Sequence, residues 1–253
     1  MLAFGTAAHA ATRHRTVTAM GIAFGKAEWM EAGADPLLSP TISLIEQPPG
    51  TTLGAHFHRN NQFQFFVGGG GSIGPAALAP VTVHYAGAYT AYGPLVAGAE
   101  GITYFTIRPV CEAGAYAVET SREHMVRGPK RHATSEAIAP IPDGELAVLP
   151  KATRTDVIAH APDGLGASVL AVPPGHEFDV PWADGADGMF LMVLQGEVRH
   201  GQGGMGRWES LFASTHAEIP RLEAGPAGAQ VVCAFVPAKA GSYLAAPTQG
   251  DKR

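Results

Sequence analysis

With 253 residues, 46% of them hydrophobic and only 15% charged, the chain can bury one large core or two small ones, and disorder throughout is excluded. A formal charge of −5 leaves no basic excess for a nucleic-acid partner, and two cysteines, Cys111 and Cys233, cannot staple a disulfide scaffold. The 32 glycines and 20 prolines argue against a long helical bundle and for short strands joined by turns.

In chain order, the first segment reads MLAFGTAAHAATRHR. Its Ala8-His9-Ala10 has the look of a signal-cleavage triplet, but no basic region precedes the apolar residues, so residues 1–15 are expected to form a loose arm. No apolar run approaches the roughly 18 residues that would span a bilayer. The expected setting is cytoplasmic, with no membrane partner. The cysteine count suits a reducing compartment and leaves a single bridge open. Strands are expected at residues 41–45, 62–67, 81–85 and 102–107, set apart by Gly/Pro segments. Residues 119–126 suggest one or two helical turns capped by Thr120 or Ser121. Residues 127–154, with Pro129, Pro140, Pro142 and Pro150, read as a connection over the surface. Strands resume at residues 167–172, 189–194 and 229–236.

The two halves repeat. Pro48-Pro49-Gly50 recurs as Pro173-Pro174-Gly175, an offset of 125. Residues 63–69, FQFFVGG, match residues 190–196, FLMVLQG, at 127, and Gly98-x-x-Gly101 recurs as Gly225-x-x-Gly228, again at 127. A unit this long is a domain rather than a solenoid repeat. The division expected is a first barrel over residues 16–126, a linker over 127–154, a second barrel over 155–240 and a tail over 241–253. Barrels of this kind leave strand edges. Residues before Thr41, including Ile22 and Phe24, could pair with such an edge, and the simplest consequence is a two-fold homodimer.

The first half contains Gly50-x5-His56-x-His58-x3-Gln62-x6-Gly69. Residues two apart in a strand share a face, so His56 and His58 can converge, and Gln62 opens the next strand across from them. Imidazole nitrogens and an amide oxygen suit Fe, Ni, Mn, Cu or Zn. By alternation Gln64 and Phe66 lie on the Gln62 face. His84, Tyr92 and Tyr104 are the other candidates to line the pocket.

This pattern resembles the first motif of the cupin superfamily, with Gln62 where the family usually has a glutamate. Together with the duplication it is similar to a bicupin. The resemblance covers residues 40–110 well and 165–240 more weakly. It implies an all-β chain of two tandem cupin-type jelly-roll barrels, a divalent metal held by His56, His58 and Gln62, and a small-molecule ligand. The further histidine of the family's second motif would fall near Gly98 or Ala99, which offer no ligand. The second half has lost the set: Pro181, Ala183 and Met189 stand in place of His56, His58 and Gln62, and His176, His200 and His216 form no cluster. The second barrel is expected to be structural, although Trp182 and Asp184 could line a pocket. With only neutral ligands, metal binding should be weak and should fail as the histidines protonate near pH 6.

Other patterns carry less. Gly69-x-Gly71-x-x-Gly74 has the letters of a dinucleotide fingerprint, but Pro75 and a strand follow where a helix is required. Arg122, Arg127, Lys130, Arg131 and His132 read as a solvated basic stretch. Two functions stay open. One is a metal-dependent dioxygenase, isomerase or related small-molecule enzyme. The other is a non-catalytic barrel that binds a small molecule or serves a structural role without metal. The sequence supplies no assigned catalytic residue.

Overall fold

A computed structural model describes residues 1–112, 114–201 and 203–244. The architecture is all-β, two tandem cupin-type jelly-roll barrels, built as a nine-stranded and an eight-stranded antiparallel sheet with a separate two-stranded pair. The α-helices among the described residues are Ala7–Ala11, Asp143–Leu146 and Gly241–Leu244. The turn expected over residues 119–126 is a single 3₁₀ turn, Arg122–His124, whose N-cap Ser121 makes no side-chain capping bond.

Every expected strand is present, most of them longer than the sequence suggested. In the first barrel, Gln62–Ile73 lies between Thr82–Ala86 and Leu95–Arg108, and Leu95–Arg108 pairs in turn with Thr41–Gln47. In the second, Ala186–His200 lies between Ser210–Ala213 and Leu222–Pro237, which pairs with Gly166–Val172.

The registers of the two barrels are copies. Phe66 pairs with Tyr104, Gln64 with Thr106 and Phe63 with Ile107; 127 residues on, Val193 pairs with Val231, Leu191 with Cys233 and Phe190 with Ala234. The long strands bend at matched glycines. Gly69 and Gly196 have φ of +66° and +73°, and a Cβ on either would sit 2.1 Å from the carbonyl oxygen of Gly101 or Gly228. These close approaches explain why the repeat is most legible in its glycines.

Alternation then sorts the side chains. Phe63, Phe65, Phe105 and Ile107 leave the first barrel and meet Phe190, Met192, Val232 and Ala234 from the second in one shared core. This is why both strands are apolar at successive positions: each buries both of its faces. Met189, Leu191, Val193, Val231, Cys233 and Phe235 fill the second barrel's own interior.

Several expectations are corrected. The supposed loose arm is not loose: Leu2–Gly5 is a strand paired with Ser210–Ala213 of the second sheet. Its counterpart in the first barrel comes from the supposed surface connection, where His132–Thr134 pairs with His84–Ala86. Each barrel therefore needs one more strand than its repeat unit supplies. Ile22 and Phe24 do not await a second chain; Ile22–Glu31 pairs with Thr41–Gln47 of the same chain, which moves the edge outward to Arg15–Ala19. Cys111 is free and exposed, while Cys233 is free and buried, its thiol pushed up to about 12 by burial. Among the described residues no helix is long and apolar enough to cross a membrane.

The glycine bends give a direct test. Gly69→Ala and Gly196→Ala should each cost more than about 2 kcal/mol, because a carbonyl oxygen occupies the methyl position. Gly50→Ala has open space around its Cβ at φ +67° and should cost only about 1–2 kcal/mol of left-handed strain. Urea denaturation midpoints of the three variants check the ordering.

Candidate functional site

His56–Phe57 is a two-residue strand paired with Tyr116–Ala117, and His56 also exchanges two backbone hydrogen bonds with Tyr92 at 3.1 and 3.0 Å. Phe57 points away into a cluster with Tyr89 and Tyr243, so His56 and His58 turn together toward the barrel interior, their ring centroids 5.5 Å apart. Gln62 and Gln64 enter from the neighbouring strand. All four side chains are buried, Gln62 and Gln64 at 1% exposure. The structure thus brings the three expected ligands, His56, His58 and Gln62, to one place.

One atom of each of the three expected ligands that would face a metal there is already hydrogen-bonded. Gln62 Nε2 donates to the Tyr92 hydroxyl at 2.8 Å, and that hydroxyl lies 2.8 Å from His56 Nε2. His56 Nδ1 lies 2.8 Å from the Gly54 carbonyl and must carry the proton, so Nε2 accepts from Tyr92. On the other side, Arg108 Nε donates to Gln62 Oε1 at 2.7 Å and its Nη2 donates to His58 Nε2 at 3.3 Å. His58 Nδ1 faces the Gly114 carbonyl and lies 4.0 Å from Glu112 Oε2. A guanidinium spans two of the three groups expected to hold a metal.

Arg108 and Glu112 were not foreseen. Arg108 had a signal: it follows Tyr104 and Thr106 at a period of two on the inner face of one strand. Glu112 had none, because it lies beyond that strand. Its carboxylate is 7% exposed and accepts from the backbone N–H of Arg59 at 2.7 Å and of Asn60 at 3.3 Å, which ties the 110s loop to the turn between His58 and Gln62.

These groups border a cavity of about 240 Å³. His56, His58, Gln64, Tyr92 and Tyr104 line it, with Thr106, Arg108, Glu112 and Lys26; Phe24, Ile45 and Leu53 add apolar wall. Two expected lining residues stand behind it. Phe66 shares the Gln62 face but packs on Tyr104, ring centroids 5.2 Å apart. His84 is buried beside Tyr92, with Nδ1 2.8 Å from Thr134 Oγ1. Tyr89, Trp182 and Asp184 are not among the lining residues.

The electrostatics keep the histidines neutral. Burial, with a smaller contribution from the Arg108 charge, lowers His56 to about 4, and the same two causes put His58 well below the ordinary range. Burial and His132 lower His84 to about 3. Protonation of these histidines, expected near pH 6 and expected to end metal binding there, is therefore moved to lower pH. Tyr92 and Tyr104 are held well above the usual phenol range by burial, and burial raises Glu112.

No protein-family model matches the sequence, and no curated protein matches it either. Solved structures do. The fold is that of the cupins. A candidate dioxygenase from Nostoc punctiforme aligns over 94% of this chain and 79% of its own with a TM-score of 0.60 at 14% identity. The pirin YhhW of Escherichia coli, solved in complex with nickel(II), aligns over 94% and 99% at 0.55 and 12%. Bacillus subtilis oxalate decarboxylase aligns over 90% and 76% at 0.55 and 10%. At these identities the likeness concerns the fold.

The donor set does not fit a divalent ion. Among the described residues no three His, Cys, Asp or Glu side chains are placed to hold one. A divalent ion about 4 Å from the guanidinium would be repelled by on the order of 8 kcal/mol at an effective dielectric of about 20.

The buried neutral histidines make stability pH-dependent. Their folded pKa values lie below the unfolded value of 6.5, so the unfolded chain binds the extra protons. Stability should be full above pH 6.5 and fall as the pH drops toward 4 and then 3. Denaturant midpoints from pH 8 to 4 check this, and His84→Leu should flatten the acid limb.

Proposed function

We propose that the first barrel binds a small molecule in its interior cavity without a metal, and that Arg108 holds the position a metal would need. The observation that carries this reading is the pair of hydrogen bonds from Arg108 to Gln62 Oε1 and His58 Nε2. The cavity walls combine apolar side chains with a few convergent polar groups, the make-up of a binding pocket. The cavity is poorly equipped for proton transfer. His56 Nε2 and His58 Nε2 are engaged, and both Glu112 oxygens accept hydrogen bonds from the 59–60 turn. The second barrel supports this unit mechanically. Its register-equivalents of Gln62, Gln64, His84, Thr106 and Arg108 are Met189, Leu191, Leu211, Cys233 and Phe235, an apolar filling.

Metal loading separates this reading from the metal-dependent enzyme. Wild-type protein incubated with nickel or manganese and desalted should retain no stoichiometric metal by elemental analysis. Arg108→Leu combined with Gln62→Glu removes the cation and restores a carboxylate, and should gain about one ion per chain. One ion per wild-type chain, lost on His56→Ala, would establish the metal site instead.

A further inference from the structure

We infer that the occupant of the first-barrel cavity is a small organic acid, a monocarboxylate with an apolar body whose carboxylate seats on Arg108. The inference rests on the binding reading above and adds the charge class of the ligand. A guanidinium carries five N–H donors in a fixed fork. Two of its nitrogens are committed, one to Gln62 and one to His58, and both partners are neutral. Among the described residues Arg108 forms no ion pair with a carboxylate.

Of the other cations, Lys26 and Arg131 are ion-paired within the chain, while Arg59 lies over the Tyr116 ring and Lys239 donates to Asn60. Lys26, also on the cavity wall, lies 2.8 Å from Glu28, which in turn takes Arg15 at 2.7 Å and the Ser43 hydroxyl. Arg131 is 2.6 Å from Asp163. Glu112 is the carboxylate that lines the cavity, but its oxygens accept from the backbone N–H groups of Arg59 and Asn60, and it makes no ion-pair contact with Arg108. The Arg108 guanidinium thus lines the cavity with two neutral hydrogen-bond partners and no carboxylate in ion-pair contact among the described residues. An anion resolves that imbalance, and a bidentate carboxylate matches the fork.

A second feature points into the same space. Gln64 is 1% exposed, lines the cavity and has a carbonyl oxygen with no hydrogen-bond partner. An unmatched buried acceptor calls for a donor from the occupant or from a water it retains. Val17, Met20, Phe24, Ile45 and Leu53 give the cavity an apolar wall that suits an apolar body. The cavity volume of about 240 Å³ suits a compact body such as a single ring or a short chain.

The test uses wild-type protein and an isosteric series of opposite charge: benzoate, benzamide and benzamidine, with hexanoate as an aliphatic acid. Titration calorimetry should show one acid bound per chain, at least tenfold tighter than benzamide, with benzamidine not binding. Arg108→Gln should reduce benzoate to the benzamide level, and Arg108→Lys, which keeps the charge but loses the fork, should fall between. The selectivity among wild-type ligands stands even if a variant fails to fold. Benzamide or benzamidine binding as tightly as benzoate would overturn the acid inference and leave the binding reading intact. No binding of any compound in the series, with one nickel retained per chain, would overturn both.

Discussion

A strand buried on both faces has no neutral side to which errors can be sent, and the organisation of this molecule follows from that constraint. Gln62–Ile73 and Leu95–Arg108 lie between a barrel interior on one face and a second barrel on the other. Alternation fixes which residue serves which face. Phe63, Phe65, Phe105 and Ile107 must be apolar because they meet the second barrel, and their neighbours Gln62, Gln64, Thr106 and Arg108 are then committed to the interior. A shift of one residue would put a guanidinium into the interface between barrels, so the polar site and the packing of the two halves are specified together.

The same register supports two different interiors. Copying the strands at an offset of 127 residues preserves the pairing partners, the glycine bends and the apolar outer face. Only the inner positions differ. Where the first barrel pairs Gln62 with Arg108 through their side chains, the second places Met189 opposite Phe235. The two interiors meet the rule that buried polar groups need partners differently, one with a largely bonded polar network and one with an apolar filling. Within the first network the Gln64 oxygen, His58 Nδ1 and His84 Nε2 lack hydrogen-bond partners, and Arg108 keeps donors beyond the two it uses.

Much of this was legible in the chain. The strands stood out because both of their faces are apolar or β-branched, and the repeat stood out because its glycines sit where backbones touch. His56, His58 and Gln62 could be grouped from the sequence, since two-residue spacing and a tight turn bring their side chains toward one face. Their role was harder to read, because it depends on a residue 46 positions beyond Gln62. Arg108 lies on the inner face by the same period that picked out Tyr104, but at the end of a strand it could equally have turned to solvent. Glu112 belongs to a loop whose position is set by the hydrogen bonds it makes, which no local pattern encodes. The N-terminal strand was missed for a related reason: its partner, Ser210–Ala213, lies at the far end of the chain, and a four-residue strand has no periodicity to detect.

The account turns on the Arg108 guanidinium occupying the ground between Gln62 and His58. Two neutral imidazoles and an amide would be a serviceable, if weak, ligand set were that cation elsewhere. With it in place, Gln62 Oε1 and His58 Nε2 are hydrogen-bonded to a cation that would repel a metal at that spot. The most direct measurement is a crystal structure of wild-type protein grown with excess nickel, with anomalous data collected at the metal's absorption edge. The account predicts no anomalous peak between His56 and His58, with the Arg108 fork resting on Gln62 Oε1 and His58 Nε2. A peak bonded to both imidazoles, with Arg108 swung out of the cavity, would contradict it.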